Sequence, residues 1–202
     1  MKKIISACSI AVLSLLFCIT ASAKTVQHTV IKGESMWKIA VKYQVGLSEI
    51  ISANPQVSNP ALIYPGQVLN IPLNDEAVSS FEQRVIELTN QKRVQNGLKP
   101  LTANWELSRA ARYKSQDMHD KRYFSHTSPT YGSPFDMIKN FGISYRAAAE
   151  NIAKGQTTPE AVVNAWWNSE GHRKNMLNSS YTQIGVGYVS DGNYWTQMFI
   201  RP

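Results

Sequence analysis

Histidine and carboxylate side chains recur in three short segments in the second half of the chain. His126 closes the segment FSH, Glu150 lies in AENIA, and Glu170 and His172 share the segment SEGHR. Two imidazoles with one or two carboxylates can ligate a divalent cation such as zinc and leave a position open for water. The same residues can form an acid/base pair, because a carboxylate held beside a histidine raises the basicity of its ring. We therefore predict one polar site from these segments.

The chemistry of this site stays open at the level of sequence. Metal binding would use His126, Glu150 and His172, whereas catalysis would draw on the same residues and on Glu170. A structural alternative is that Glu150 and His172 hydrogen-bond to each other and to loop amides as a buried polar strut. The hydrolase motifs GxSxG and HExxH and a phosphate-binding glycine loop are absent from the sequence. No further motif therefore selects a reaction.

The start of the chain has the pattern of an export signal. It opens with the basic segment MKK, continues in an apolar run from Ile4 to Ile19 and reaches the small residues ASA at 21–23. This order is typical of a secretory signal peptide, which we predict over residues 1–23 with cleavage after Ala23. The apolar run is shorter than the ~20 residues of a spanning helix. We therefore expect no stable membrane anchor after cleavage.

Cysteine usage and charge narrow the function classes. Cys8 and Cys18 both lie in the predicted signal peptide, which excludes a thiol nucleophile, a cysteine-ligated zinc and a disulfide from the exported chain. The formal net charge is +7, but the basic residues are scattered and form no stripe. Together with export, this argues against a nucleic-acid partner and favours loose attraction to anionic wall polymers.

The first part of the exported chain is predicted to form a small βααβ unit. The pattern indicates a strand over Val26 to Val30, a helix after the cap Ser35, a helix over Leu47 to Ala53 and a strand over Val68 to Pro72. Residues 74–80 are mostly polar or small, and we interpret them as a linker.

This unit resembles a LysM module over residues 25–73, through the segments HTVIKGESMWKIA, NP and IYPGQ. LysM modules bind N-acetylglucosamine-containing glycans such as peptidoglycan or chitin, so the resemblance implies the same ligand here. It also implies a groove between two loops, whose residues here are Gly33, Glu34, Ser35 and Met36 in the first loop and Asn59, Pro60, Ala61, Leu62 and Ile63 in the second. Trp37 is predicted to pack in the core and His28 to be a surface or edge residue.

The second part, residues 81–202, is predicted to be an α+β domain. Ser79 or Ser80 can cap a first helix, Asn104 begins another, and the pairs SP at 133 and TP at 158 begin two more. The turn at 190–193 separates two strand patterns and indicates a hairpin. Helices followed by strands favour a layered α+β fold. His119 has no partner pattern and is predicted to be a surface or edge residue.

This second part resembles the CAP superfamily of cysteine-rich secretory, antigen 5 and pathogenesis-related 1 proteins, in its bacterial form. The resemblance rests on Asn90 with Arg93 and on the segments GLKPL, FSH, AENIA, WWNSEGHRKN and QIGVG. It implies an α-β-α sandwich with a cleft that holds two histidines and two acids. His126 and Glu150 match the family's pattern. The second histidine of plant and animal members belongs to GHYTQ, where this chain has Ser180, so the bacterial pattern points to His172 with Glu170 as the second acid.

Three functional hypotheses follow. The first is an exported protein of the vegetative wall or spore envelope, whose LysM module binds peptidoglycan and presents the CAP domain there. The second is a hydrolase that acts on a wall component by metal-assisted or acid/base chemistry. In the third, the CAP cleft binds a lipid or a protein partner without catalysis. Sequence alone leaves open whether the protein is an enzyme.

Overall fold

A computed structural model describes residues 24–202, so the signal peptide predicted over residues 1–23 lies outside the described residues. The helices found between Lys24 and Pro202 are all too short or too polar to cross a membrane. The elements in chain order are β1 (Thr25–Thr29), α1 (Met36–Tyr43), α2 (Leu47–Ala53), β2 (Val68–Pro72), α3 (Glu76–Gln95), β3 (Thr102–Ala103), α4 (Trp105–Asp120), α5 (Pro134–Asn140), β4 (Ala147–Lys154), α6 (Pro159–Asn168), α7 (Glu170–Met176), β5 (Gln183–Val189) and β6 (Tyr194–Arg201).

The first four elements form the predicted βααβ unit. Strands β1 and β2 pair antiparallel, with Thr29 opposite Val68, and α1 and α2 cover them with a core that includes Ile39 and Ile71. The predicted cap of α1 is confirmed, because the Ser35 hydroxyl accepts a hydrogen bond from the main-chain N–H of Lys38. The prediction for Trp37 is wrong: its side chain is 52% exposed. Neighbouring positions of a helix face different directions, and in α1 it is Met36 that enters the core.

The remaining elements build a layered α+β domain around a sheet of strand order β3-β5-β6-β4. Strand β6 shows the layering most clearly, because its successive side chains alternate between the two faces. Trp195 and Phe199 pack against α3 and α6 on one face. Met198 and Ile200 pack against α4 and α5 on the other. The predicted α-β-α sandwich and its β5–β6 hairpin are therefore confirmed.

The start of α3 differs from the sequence prediction. The helix begins at Glu76, so residues 76–80 belong to it, and neither Ser79 nor Ser80 is its cap. The reason is local: the Asp75 carboxylate accepts a hydrogen bond from the Val78 N–H. This bond satisfies a main-chain donor in the first turn of α3, so the helix begins about one turn earlier than predicted. The connection between β2 and α3 is correspondingly shorter.

Two glycines let α4 lie directly on β5. A Cβ atom at Gly185 would stand 2.4 Å from the main-chain carbon of Leu107, and one at Gly187 would stand 2.1 Å from the main-chain nitrogen of Arg112. Because residues two apart in a strand share a face, both glycines face the same helix. The distance between α4 and the sheet therefore depends on the absence of side chains at these positions.

We predict that Gly187→Ala lowers the free energy of unfolding by about 3 kcal/mol, because the added methyl meets backbone that a rotamer change cannot move. Urea denaturation would measure the loss. The matched control is Gly171→Ala in α7, where a Cβ meets nothing within 4 Å. That variant should keep or gain stability, by up to about 1 kcal/mol. Equal stabilities of the two variants would contradict the packing argument.

Candidate functional site

The structure brings His126 and Glu150 together. Nδ1 of His126 lies 2.7 Å from Oε1 of Glu150, and the carboxylate is buried at 2% exposure while the imidazole is 54% exposed. The Nε2 atom of His126 makes no hydrogen bond to the part of the chain that the structure describes. The pair thus consists of a solvent-facing imidazole held from behind by a buried carboxylate, an arrangement that favours the tautomer with the proton on Nδ1.

Strand β4 determines where Glu150 points. It is an edge strand of the sheet, and Glu150 lies opposite Met198 of β6, on the face covered by α4. Burial raises the pKa of Glu150, although the hydrogen bond with His126 and the charge of Lys114 act against that rise. Its second oxygen, Oε2, is buried and has no partner among the described residues.

Lys114 holds the loop that carries His126. This lysine of α4 is fully buried, and its Nζ donates hydrogen bonds to the main-chain oxygens of Ser125, at 2.8 Å, and of His126, at 2.9 Å, and to the Tyr123 hydroxyl at 3.1 Å. Burial lowers the pKa of Lys114, and the nearby charges of Glu150 and Asp117 oppose that effect. The ammonium group therefore orients His126 through its main chain.

The sequence contains a signal for Lys114 that the motif-based prediction of the site did not include. Leu107, Ala111 and Met118 mark the buried stripe of α4, and Lys114 falls at the spacing of that stripe. A lysine on an apolar helix face is rarely buried unless it has partners. Its position could have pointed to a buried polar cluster, although not to the identity of the partners.

Asp117 fixes the other half of the same loop. Its Oδ2 accepts hydrogen bonds from the hydroxyls of Tyr123 and Ser128, each at 2.6 Å, and its Oδ1 accepts one from Thr130. Burial by itself would raise the pKa of Asp117, but these hydrogen bonds outweigh it and hold the pKa below its usual value. The loop is thus bound to α4 on both sides of His126.

On the opposite face of β4, asparagines attach α7 to the strand. The Nδ2 of Asn151 donates to the main-chain oxygen of His172 at 3.2 Å and to Oε1 of Gln197 at 3.0 Å. The Nδ2 of Asn175 donates to Oδ1 of Asn151 at 2.9 Å and to the main-chain oxygen of Glu150 at 3.3 Å. These contacts place His172 beside the edge strand.

His172 and Glu170 are less closely integrated than His126. Burial, and then the charge of His126, lower the pKa of His172, which favours a neutral ring. The buried strut between Glu150 and His172 is not formed. Asn151 faces α7, which carries His172, whereas its neighbour Glu150 faces the other side of the sheet and bonds to His126. Glu170 is exposed and makes no side-chain contact with His126 or Glu150.

The described residues show no preassembled cluster of metal ligands. Between Lys24 and Pro202 no group of three or more histidine, cysteine, aspartate or glutamate side chains has the geometry to hold a metal ion. Oε1 of Glu150 is directed at Nδ1 of His126, so this oxygen is a partner of the imidazole, whereas Nε2 of the same ring is left open. The metal site of His126, Glu150 and His172 stays a prediction.

The first predicted glycan-binding loop is held from inside by a buried pair. The Glu34 carboxylate accepts a hydrogen bond from the Ile31 N–H at 3.0 Å and lies 2.7 Å from Nε2 of His28. His28 does not lie at the surface, because its side chain is 7% exposed and contacts the Tyr43 hydroxyl, but it does lie in β1, an edge strand of a two-stranded sheet. Met36 is buried in the core, so only its main chain is available to a ligand.

Gly33 and Ser35 of the first loop are exposed. So are most residues of the second, where Leu62 has a 52% exposed side chain. Asn59 shapes this second loop by accepting hydrogen bonds from the N–H groups of Ala61 and Leu62. Since β1 ends where β2 begins in their antiparallel pair, both loops leave the same end of the small sheet.

His119 is 30% exposed, but it has two carboxylate partners that the sequence did not indicate. Its Nδ1 lies 2.7 Å from a carboxylate oxygen of Asp120 and its Nε2 lies 3.1 Å from one of Asp191. These hydrogen bonds raise the pKa of His119. Its imidazole joins the end of α4 to the β5–β6 turn and lies outside the His126 site.

Comparison with protein families matches both parts of the chain. The model of the cysteine-rich secretory protein family, CAP, matches residues 86–199, and the LysM domain model matches residues 28–72. Both resemblances carried by the sequence motifs are thereby confirmed.

Individual relatives are similar over part of their length. The chain is 66% identical over 124 residues to YkwD, an uncharacterized protein of Bacillus subtilis (strain 168), which corresponds to 61% of this chain and 48% of the relative. It is 47% identical over 45 residues to the spore coat assembly protein ExsA of Bacillus cereus, which corresponds to 22% of this chain and 7% of the relative. The chain thus spans about half or less of the curated relatives that it matches.

A solved structure agrees with the fold. The crystal structure of an extracellular protein containing a SCP domain from Bacillus anthracis str. Ames superposes with a TM-score of 0.61 at 36% sequence identity, over 68% of this chain and 47% of that chain.

We predict that Lys114→Met destabilises the protein by about 3 kcal/mol, because it leaves the oxygens of Ser125 and His126 without donors and Glu150 without a nearby cation. Urea denaturation would measure this loss. The control is Lys121→Met, since Lys121 is 48% exposed and its pairing with Asp117 is weak, at a separation of 3.9 Å. It should cost less than about 1 kcal/mol. A tolerated Lys114→Met would show that the ammonium group does not hold the loop.

Proposed function

Since the chain belongs to the cysteine-rich secretory protein (CAP) family and carries a LysM domain ahead of its CAP domain, we propose that it binds peptidoglycan through the LysM domain. The ligand class is N-acetylglucosamine-containing glycan, and the CAP domain is presented with its His126 and Glu150 site at the cell wall. These two domains together fit a cell-wall-associated protein that binds glycan.

The observation that carries this proposal is the LysM match over residues 28–72, with both loops at one end of its sheet. Neutral sugars are held by main-chain donors and acceptors combined with apolar contact. Exposed Gly33 and Ser35 leave the main chain of the first loop accessible. Leu62, in the second loop, and Ile31 offer apolar surface, at 52% and 61% exposure. The loop residues Gly33 to Met36 and Asn59 to Ile63 are our proposed glycan contacts.

The proposed ligand also indicates where the protein acts, because peptidoglycan is found in the cell wall. Export by the predicted signal peptide would bring the chain to the wall, where its excess of basic residues suits anionic polymers. The similarity to ExsA, a spore coat assembly protein, supports the spore envelope as well as the vegetative wall as the site of action.

A second candidate function is acid/base hydrolysis of a wall component, favoured by the geometry of His126 and Glu150. The carboxylate accepts the Nδ1 proton, so Nε2 is the basic nitrogen and faces solvent, where it can take a proton from a water molecule that attacks a substrate. Glu150 then stabilises the imidazolium that forms. This route needs no metal ion. The neutral ring of His172 lies nearby as a group that can bind the substrate.

For the glycan proposal, we predict that Leu62→Asp lowers the affinity for purified peptidoglycan, measured by co-sedimentation, at least tenfold. This corresponds to about 1.4 kcal/mol of binding free energy. The reason is that a charge replaces apolar contact with the sugar ring. The matched control is Val94→Asp on α3, where the side chain is 59% exposed and outside the LysM domain. Its binding should equal that of the unmodified chain. Equal binding by both variants would remove this loop from the glycan site.

For the hydrolysis candidate, we predict that His126→Ala slows the release of soluble fragments from peptidoglycan about 100-fold or more. His119→Ala removes a histidine that also pairs with carboxylates but lies outside the site, and it should retain full activity. A metal chelator should not change the rate of fragment release by the unmodified chain or by His119→Ala. If the unmodified chain and His126→Ala release fragments at the same rate, hydrolysis at this site is excluded.

A further inference from the structure

The LysM and CAP domains are joined by an ion pair between α2 and α4. Nε of Arg109 lies 2.7 Å from Oε1 of Glu49, and Nη2 of Arg109 lies 3.0 Å from Oε2. Both carboxylate oxygens therefore face one guanidinium group, the geometry in which such pairs are strongest. We call these two side chains the clasp.

Neighbouring side chains fix the clasp from both domains. The Tyr113 hydroxyl donates to Oε1 of Glu49 at 3.0 Å. The Ser48 hydroxyl accepts from Nη2 of Arg109 at 2.8 Å and donates to Oε2 of Glu49 at 2.7 Å. The carbon of the Arg109 guanidinium also lies 5.0 Å from the centre of the Phe141 ring, within the range of a cation–π contact.

Partial burial makes this pair more than a surface contact. The side chains of Arg109 and Glu49 are 21% and 25% exposed, so solvent screens them less than a fully exposed pair. Burial alone would raise the pKa of Glu49, but the hydrogen bond and charge of Arg109 and the hydrogen bond of Ser48 outweigh it and lower the pKa. Glu49 is therefore ionised near neutral pH.

Gly46 lies directly against the clasp. A Cβ atom at Gly46 would lie 1.9 Å from Oε2 of Glu49 and 2.2 Å from Nε of Arg109. Its φ of −72° is open to any residue, so backbone conformation does not require glycine here. The crowding comes from the side-chain ends of Glu49, in the same domain, and of Arg109, in the CAP domain.

The rest of the interface supports a dominant role for the clasp. A cavity of about 330 Å³ lies between the domains beside Glu49 and Arg109, so apolar packing does not fill the contact. Only Leu73, Asn74 and Asp75 separate β2 from α3, which limits how far the domains can part. The ion pair of Lys24 with Glu76 is a second polar contact, close to this short segment.

We propose that Glu49 and Arg109 hold the LysM domain on α4, so that the glycan-binding loops and His126 are presented in one fixed relative orientation. Helix α4 contacts both functional regions. Its Arg109 binds Glu49 of the LysM domain, and its Lys114 binds the main chain of the His126 loop. A LysM domain bound to a glycan strand then determines the direction in which the CAP site faces the wall. This goes beyond the proposed glycan binding, which requires no fixed orientation.

The test is ¹⁵N relaxation of the chain from Lys24 to Pro202, which reports the rotational correlation time of each domain. In the unmodified chain both domains should share one correlation time. Gly46→Ala, which crowds the clasp without removing a charge, should give the LysM amides a separate, shorter correlation time. Glu49→Gln, which keeps the side-chain shape, should do the same.

The matched control is Arg84→Leu, which removes an arginine paired with Glu160 inside the CAP domain. It should keep a single correlation time. Sedimentation with peptidoglycan, measured in parallel, should be unchanged in Gly46→Ala and Glu49→Gln, because the clasp lies outside the glycan-binding loops. Failure of the unmodified chain to sediment would count against the glycan proposal alone. Two correlation times in the unmodified chain, or a single one in both clasp variants, would overturn the clasp.

Discussion

The packing of α4 against the sheet is the constraint on which both functional ends of this protein depend. Gly185 and Gly187 allow the helix backbone to lie on β5 where any side chain would collide with it. From that position α4 directs Lys114 to the loop of His126 and Arg109 to the LysM domain. Because a helix is stiff over its length, a shift of α4 would displace the site and the interdomain contact together.

The His126 site illustrates how a buried charge is made tolerable. The Lys114 ammonium is out of contact with water, but each of its three donors has an oxygen partner, and the carboxylates of Glu150 and Asp117 lie close enough to favour its charge. Burying a charge without such partners would cost several kcal/mol. The result is a main chain held firmly around His126 and an imidazole whose outer nitrogen faces solvent. That combination leaves Nε2 of His126 open for proton transfer.

Two domains with different tasks can gain from being joined rigidly. A small glycan-binding module on a flexible linker only raises the local concentration of its partner domain. A module docked through Glu49 and Arg109 would also set an orientation, at the cost of ordering both side chains. The CAP family membership and the LysM match over residues 28–72 describe the parts, whereas the clasp describes how this chain combines them. For the proposed binding to an extended glycan, a fixed orientation would be a useful property.

Local chemistry determined much of this structure from the sequence alone. The Ser35 cap, the proline-initiated helices after Ser133 and Thr158, and the β5–β6 hairpin follow from short-range hydrogen bonding and backbone preference, and the motifs identified both families. Tertiary packing decided the rest. Glu150 pairs with His126 and not His172, because alternation along β4 directs it to the α4 face. The burial of Lys114 and His28, the exposure of Trp37 and the approach of Arg109 to Gly46 depend on residues distant in sequence. Such contacts leave no local pattern, because their energy comes from surfaces that meet only after the chain has folded.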